Sequence, residues 1–113
     1  MADFMLLFRG GNPRDRELSP EQFQQHMADW GAWIQGLHAR GVFRAGESLK
    51  PDGGRVLDAR LVVTDGPFVE AKELVGGFVI LNAKDIEEAT ALARGCPVLK
   101  TGGAVEIREI LET

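Results

Sequence analysis

Apolar and polar residues alternate in parts of this chain and recur at helical spacing in others, and together these patterns predict strands and two helices. Residues 4–8 are apolar at every position, which is typical of a strand covered on both faces. Between residues 20 and 41, apolar side chains return every three or four positions and predict an amphipathic helix. The stripe consists of Phe23, Met27, Trp30, Ile34 and Leu37. Trp33 lies off its centre, where it could reach an edge or an interface.

The ends of both helices carry capping residues. Ser19 is predicted as the N-cap of the first helix, with Pro20 as the first helical residue and Gln22 completing a capping box. Gly41 ends that helix as a C′ residue. Asp85, followed three residues later by a glutamate, predicts the start of a second helix.

Several short apolar stretches predict the remaining strands, and a three-residue strand at 55–57 would pair with 60–64. The longer stretches are residues 42–49, 60–64, 74–81 and 104–110. Gly76 and Gly77 weaken the third of these and mark a bulge or a close approach of another backbone or ligand. The order predicts an α+β, ferredoxin-like βαββαβ fold with an inserted hairpin and two helices on one face of an antiparallel sheet.

Two helices can cover only one face of such a sheet. The strand at 74–81 alternates two apolar sets, Val75/Val79/Leu81 and Phe78/Ile80, so both faces carry apolar side chains. An open apolar face needs a cover, and a second copy of the same sheet supplies one. The sequence therefore predicts a homodimer through the sheet faces.

Composition narrows the class of protein. The chain has 113 residues, which suits a single domain at 1–113, and a net charge of -4, which argues against nucleic acid as the main partner. One cysteine fits a reducing compartment, and no apolar run reaches membrane-spanning length or looks like a signal peptide. We therefore expect a cytoplasmic protein without membrane contacts.

The central stretch concentrates the polar chemistry. Residues 65–67 form an Asp-Gly-Pro turn, in which Asp65 either bonds to its own backbone or acts as a general acid or base. Glu70, Lys72 and Glu73 follow and make a polar pocket plausible. Burial would raise the pKa of Asp65 and Lys72 would lower it, while Lys72 and Glu73 fit a solvated hairpin edge equally well.

This stretch resembles the signature of the YCII-related superfamily, in its DGPF-domain branch. The resemblance rests on Thr-Asp-Gly-Pro-Phe at 64–68 and Gly-Gly-Phe at 76–78, and it continues through Glu88-Ala89, Cys96-Pro97 and Glu106-Ile107-Arg108. Glu109 departs from it, because such proteins usually carry a proline there. The resemblance implies a dimeric α+β barrel with the two sheets face to face.

Two histidines have both a structural and a functional interpretation. His26, beside Met27, is interpreted first as a residue of the helix surface, and His38 as a surface residue near the helix end. The resemblance implies a histidine on this helix, paired with an aspartate, as a possible acid–base group. Trp30 could occupy the equivalent place, and Asp29 forms a surface pair as readily as a catalytic one.

Arginines at the strand ends are candidates for holding a substrate. Glu106 and Arg108 lie on one face of the last strand, so Arg108 either binds an anionic substrate or pairs with a carboxylate. Arg9 allows the same two interpretations. Cys96 fits a small core residue better than a nucleophile. Metal-ligand clusters, phosphate loops and serine elbows have no match in the sequence, so no cofactor is expected.

Two functions fit these features. The first is a cofactor-independent enzyme with lyase, isomerase or dehalogenase-like chemistry on a small compound, as the wider barrel superfamily suggests by analogy. Asp65, His26 and Lys72 would be catalytic, and the substrate would be held by Arg108, Arg9, Glu73 and Trp30. The alternative is a non-catalytic dimer that binds a metabolite or a partner protein, which the association of DGPF-type proteins with sigma-factor systems keeps open.

Overall fold

The computed structural model describes residues 1–12, 17–66 and 73–113. The elements are β1 Ala2–Arg9, α1 Pro20–Ala39, β2 Phe43–Ser48, β3 Arg55–Leu57, β4 Val63–Asp65, β5 Val75–Ala83, α2 Ile86–Ala93, a 3-10 helix at Pro97–Thr101 and β6 Ala104–Glu109. Within these residues no helix is both long and apolar enough to cross a membrane.

Four strands form one sheet in the order β2-β5-β1-β6, and each neighbouring pair is antiparallel. The first and third long strands therefore lie at the centre, as the ferredoxin-like βαββαβ plan requires. β3 and β4 form a separate two-stranded hairpin between β2 and β5. The predicted fold class is confirmed as an open antiparallel sheet with two helices and an inserted hairpin.

The core lies between the helices and one face of this sheet. Phe4, Leu6 and Phe8 of β1 are buried there together with Val79 and Leu81 of β5. Their burial follows the two-residue period of a strand. The core also contains Leu37 of α1 and Ala89 and Ala93 of α2.

The opposite face carries a second apolar set, which we call the open face. Register pairs Met5 with Ile80 and Leu7 with Phe78, and all four are only half-buried. The expectation that β1 has apolar residues on both faces is met. In the single chain, α1 and α2 cover only one of those faces.

The helix caps form as the sequence predicts. Gln22 N–H donates to Ser19 Oγ at 3.1 Å and Ser19 N–H donates to Gln22 Oε1 at 2.8 Å. Glu88 N–H donates to the Asp85 carboxylate at 2.9 Å. Gly41 follows α1 with φ 71°, a left-handed conformation that suits glycine.

The buried face of α1 differs from the predicted stripe. Phe23 and Met27 are 46% and 52% exposed, whereas His26 is only 7% exposed. The prediction of His26 as a surface residue is therefore wrong. Trp33, expected near an edge, packs against the core. The face that packs on the core runs through positions 26, 30, 33, 34 and 37, so Trp30, Ile34 and Leu37 of the predicted stripe are confirmed.

Gly77 marks a close approach of two backbones, one of the outcomes expected for the glycine pair. A Cβ at Gly77 would lie 2.7 Å from the Glu47 carbonyl oxygen of β2, whereas a Cβ at Gly76 would have no atom within 4 Å. The register of β1 against β5 also shifts between Phe8 and Arg9, opposite this point.

In the hairpin at residues 55–65, the second strand is shorter than predicted. Arg60 and Val62 lie in its turn because both donate a backbone N–H to the Asp58 carboxylate. Leu61 has φ 65° within this turn. The pairing with residues 55–57 accordingly begins at Val63 rather than at Arg60.

Candidate active site

The structure distributes the candidate residues over three places. His26 and Trp30 meet on the helix side of the sheet. Arg9 and Arg108 lie with Glu106 on the other side. Asp65 ends the hairpin.

His26 and Trp30 form a direct hydrogen bond on one face of α1. The Trp30 indole Nε1 donates to His26 Nε2 at 3.0 Å, across one helical turn. An indole N–H is a donor only, so this nitrogen of the imidazole acts as the acceptor. Burial of His26 is tolerated because its Nε2 has a partner.

Two further ring contacts hold Trp30 in place. Phe8 of β1 meets Trp30 edge-on at a centroid distance of 5.0 Å, and Trp33 does so at 5.7 Å. Trp33 is itself fixed by its indole N–H, which donates to the Leu92 carbonyl at 3.0 Å. Edge-to-face packing of this kind favours a defined geometry. We call Phe8, His26, Trp30 and Trp33 the aromatic site.

Asp29 lies beside the aromatic site but bonds elsewhere. Its Oδ1 accepts from the Gln25 side chain at 2.8 Å, and its Oδ2 accepts from Lys100 Nζ at 3.5 Å. The hydrogen bond from Gln25 has the largest effect and lowers the pKa of the Asp29 carboxyl, desolvation opposes it, and Lys100 adds a smaller lowering effect. Both of its oxygens are engaged, so no described contact makes it the hydrogen-bonding partner of His26.

Glu106 lies between two arginines on the β1–β6 side of the open face. Arg9 Nη1 is 3.6 Å from one of its carboxylate oxygens and Arg108 Nη1 is 3.7 Å from the other. Arg9 Nε is buried and has no hydrogen-bond partner among the described residues. The cluster carries one net positive charge, which suits an anionic group of a ligand.

The central stretch contributes fewer described contacts. The Asp65 side chain is fully exposed, and its only described ion pair is with Arg55 at 4.0 Å. Glu73 is exposed, next to Leu74, whose carbonyl accepts from Gly10 N–H at 3.0 Å. Lys72 and the predicted pocket around Glu70 lie outside the described residues.

Sequence reasoning missed Phe8 and Trp33 as parts of this site. Phe8 appeared only as one residue of an apolar strand, and nothing local indicates that it meets α1. Trp33, three positions after Trp30, could have been assigned to the same face from helical spacing. Groups of three or more side chains able to hold a metal ion are absent from the part of the chain that the structure describes.

This arrangement of a βαββαβ sheet, an inserted hairpin and a buried helix histidine defines a small α+β domain with a candidate acid–base site. A family model of the YCII-related domain matches residues 5–113. The chain belongs to the YCII-related domain family.

A solved structure supports the fold. The chain is similar to 5-chloro-2-hydroxyhydroquinone dehydrochlorinase (TftG) from Burkholderia phenoliruptrix AC1100, solved in complex with 2,5-dihydroxybenzoquinone. The two share 19% identity with a TM-score of 0.52, over 98% of this chain and 95% of the other. A search of curated proteins finds no match.

Proposed function

We propose that the chain is a cofactor-independent enzyme that carries out lyase, isomerase or dehalogenase-like acid–base chemistry on a small oxygenated compound. The observation that carries this proposal is His26, a 7% exposed histidine held by Trp30 within a cluster of aromatic rings. A buried titratable group among apolar walls is the usual composition of a small-molecule site.

The dehydrochlorinase supports the choice of compound. That protein has the same fold, and its structure holds a dihydroxybenzoquinone. A ring of this kind has flat apolar faces and oxygens at its edge. Aromatic side chains can contact such faces, and an imidazole can bond to an edge oxygen.

The two arginines and the central stretch would act on the compound together with His26. Arg9 and Arg108 would hold an anionic group of the compound, as their shared net charge allows. Asp65 of the central stretch would exchange a proton with the compound, assisted by Lys72 and Glu73. The Asp65 side chain is fully exposed in the single chain, so a second copy or the compound itself would have to cover it to form a closed site.

Binding of 2,5-dihydroxybenzoquinone tests the proposed site directly. The chain has two tryptophans and no tyrosine, and both tryptophans belong to the aromatic site, so intrinsic fluorescence reports this site alone. We expect saturable quenching in the wild type and binding weakened about fivefold or more in His26→Gln.

His38→Gln serves as the matched control, because His38 is exposed and packs on Phe43 away from the aromatic site. Its binding curve should equal that of the wild type. Quenching that rises linearly with quinone, or that is the same in all three proteins, would remove the aromatic site from the proposal.

A second candidate is a non-catalytic module that binds a metabolite or a partner protein. The observation that favours it is the engagement of His26 Nε2 by Trp30, which leaves that nitrogen unavailable as a base. This candidate predicts saturable binding without any product. A product assay on the same samples separates the two.

We also propose that the chain works as a homodimer through its sheet faces. Met5, Leu7, Phe78 and Ile80 support this, since in the single chain α1 and α2 lie on the opposite face. The hairpin adds apolar side chains that are at least half exposed, which are Leu57, Leu61, Val62 and Val63. Isolated two-stranded hairpins are marginally stable in water, so contacts with a second copy would stabilise this one.

We further propose that residues 1–113 form a single domain and that the protein is cytoplasmic. The one cysteine, buried and free, fits a reducing compartment. Recovery of the protein outside the cytoplasmic fraction of cells would contradict this location.

A further inference from the structure

We propose that Trp30 is a positioning residue that holds His26 as its Nδ1–H tautomer. The imidazole then presents a neutral N–H donor, rather than a base, to an oxygen of the bound compound. The ligand part of this inference rests on the proposed function, whereas the tautomer part depends on the geometry of α1 alone.

The donor and acceptor roles in the His26–Trp30 bond cannot be exchanged. Indole Nε1 always carries hydrogen, so His26 Nε2, 3.0 Å away, must present its lone pair. A neutral imidazole has one protonated nitrogen, which therefore is Nδ1. A proton at Nε2 would place two N–H groups against each other and break the bond.

The indole is held so that it keeps this direction. Phe8 and Trp33 contact Trp30 edge-on at 5.0 and 5.7 Å, and the Leu92 carbonyl fixes Trp33. A rotation of Trp30 away from His26 would disturb both of its ring contacts. Trp30 therefore acts on the compound through His26.

Asp29 is near enough to His26 for an electrostatic interaction, but neither of its carboxylate oxygens forms a described hydrogen bond with the imidazole. Asp29 is bonded to Gln25 and Lys100, and Lys100 comes from the 3-10 helix that packs against α1. Among the described residues nothing is bonded to His26 Nδ1. That N–H can donate to a ligand oxygen, so the site selects compounds with an acceptor at the ring edge, such as a quinone or a phenolate.

Side-chain nitrogen NMR on the intact, uniformly 15N-labelled protein tests the tautomer. Long-range proton–nitrogen spectra should show an unprotonated Nε2 and a protonated Nδ1 for His26. His38, the second of the chain's two histidines, is exposed and should show the averaged signals of a mixture. A His26 spectrum with the proton on Nε2 would overturn the inference without any variant.

Two variants then distinguish the hydrogen bond of Trp30 from the packing of its ring. Trp30→Phe keeps a ring but removes the donor, and it should convert His26 to an averaged mixture. Trp33→Phe removes the indole N–H that bonds to Leu92 but keeps a ring against Trp30, so the Trp30–His26 bond and the His26 tautomer should be unchanged. An unchanged His26 spectrum in folded Trp30→Phe would contradict the positioning role.

Addition of 2,5-dihydroxybenzoquinone to the labelled wild type tests the donor role. We expect the His26 Nδ1–H signal to shift, and Trp30→Phe to weaken quinone binding about fivefold. If the tautomer is correct but the quinone does not bind, the proposed function fails while the inference about Trp30 stands. If the quinone binds without moving the Nδ1–H signal, the donor role is contradicted.

Discussion

At the scale of single residues, His26 shows where pattern and structure diverge. The residue is polar and lies beside Met27, so an apolar stripe through Phe23 and Met27 was the simpler prediction. In the first half of α1 His26 is buried instead of Met27, because Trp30 supplies the donor that a buried imidazole needs. The choice between two adjacent helix faces depends on β1 and α2, which the local sequence does not contain.

Cys96 yields a prediction about pH. Desolvation raises the pKa of its thiol from an ordinary 9.0 to about 12, against a smaller lowering effect of a backbone hydrogen bond at Val98. The folded protein therefore keeps a proton that the unfolded chain releases. This contribution to stability is fully present below about pH 9 and is lost as pH rises towards about 12.

Urea midpoints at about pH 8 and about pH 10 measure this loss. The wild type should lose up to about 1.4 kcal/mol more than Cys96→Ala over that interval, since the variant has no thiol to titrate. Equal losses in both proteins would mean that the thiol titrates normally in the native state.

At the scale of elements, most of the fold could be predicted. Caps at Ser19 and Asp85 are local signals, and they located both helix starts. The hairpin strand was harder, because residues 60–62 have strand-like composition but the Asp58 carboxylate binds their backbone. Hydrogen bonds between a side chain and the backbone compete with strand pairing for the same N–H groups, and amino-acid composition does not reveal them.

The glycine pair of β5 offers a matched test of backbone contact. Gly77→Ala should destabilise the protein by about 1–3 kcal/mol, because its Cβ would meet the Glu47 backbone oxygen and that strand cannot move without breaking its pairing. Gly76→Ala should change the free energy of unfolding by less than about 0.5 kcal/mol, since open space surrounds that position. Similar urea midpoints for the two variants would contradict the close approach.

At the scale of the whole molecule, the site could be predicted only in part. His26 and Trp30 were both candidates, and their pairing follows from helical spacing. The contact of Arg9 with Glu106 and that of Phe8 with Trp30 depend on how distant segments fold together. A single sequence holds no local signal for such contacts.

The proposed dimer has a direct test in light scattering coupled to gel filtration. The wild type should have twice the mass of one chain, and Ile80→Lys should be a monomer because it places a charge at the centre of the open face. Ile86→Lys is the control, since α2 packs on the covered face and Ile86 is 46% exposed. A monomeric wild type would contradict the dimer.

The most direct measurement of the central proposal is chloride release from 5-chloro-2-hydroxyhydroquinone by the desalted protein under argon. We predict release above the buffer rate, a loss of about a hundredfold in His26→Gln, and a normal rate in His38→Gln. Chloride release at the buffer rate, in a protein that binds the quinone saturably, would contradict enzymatic dehalogenation and favour the non-catalytic binding module.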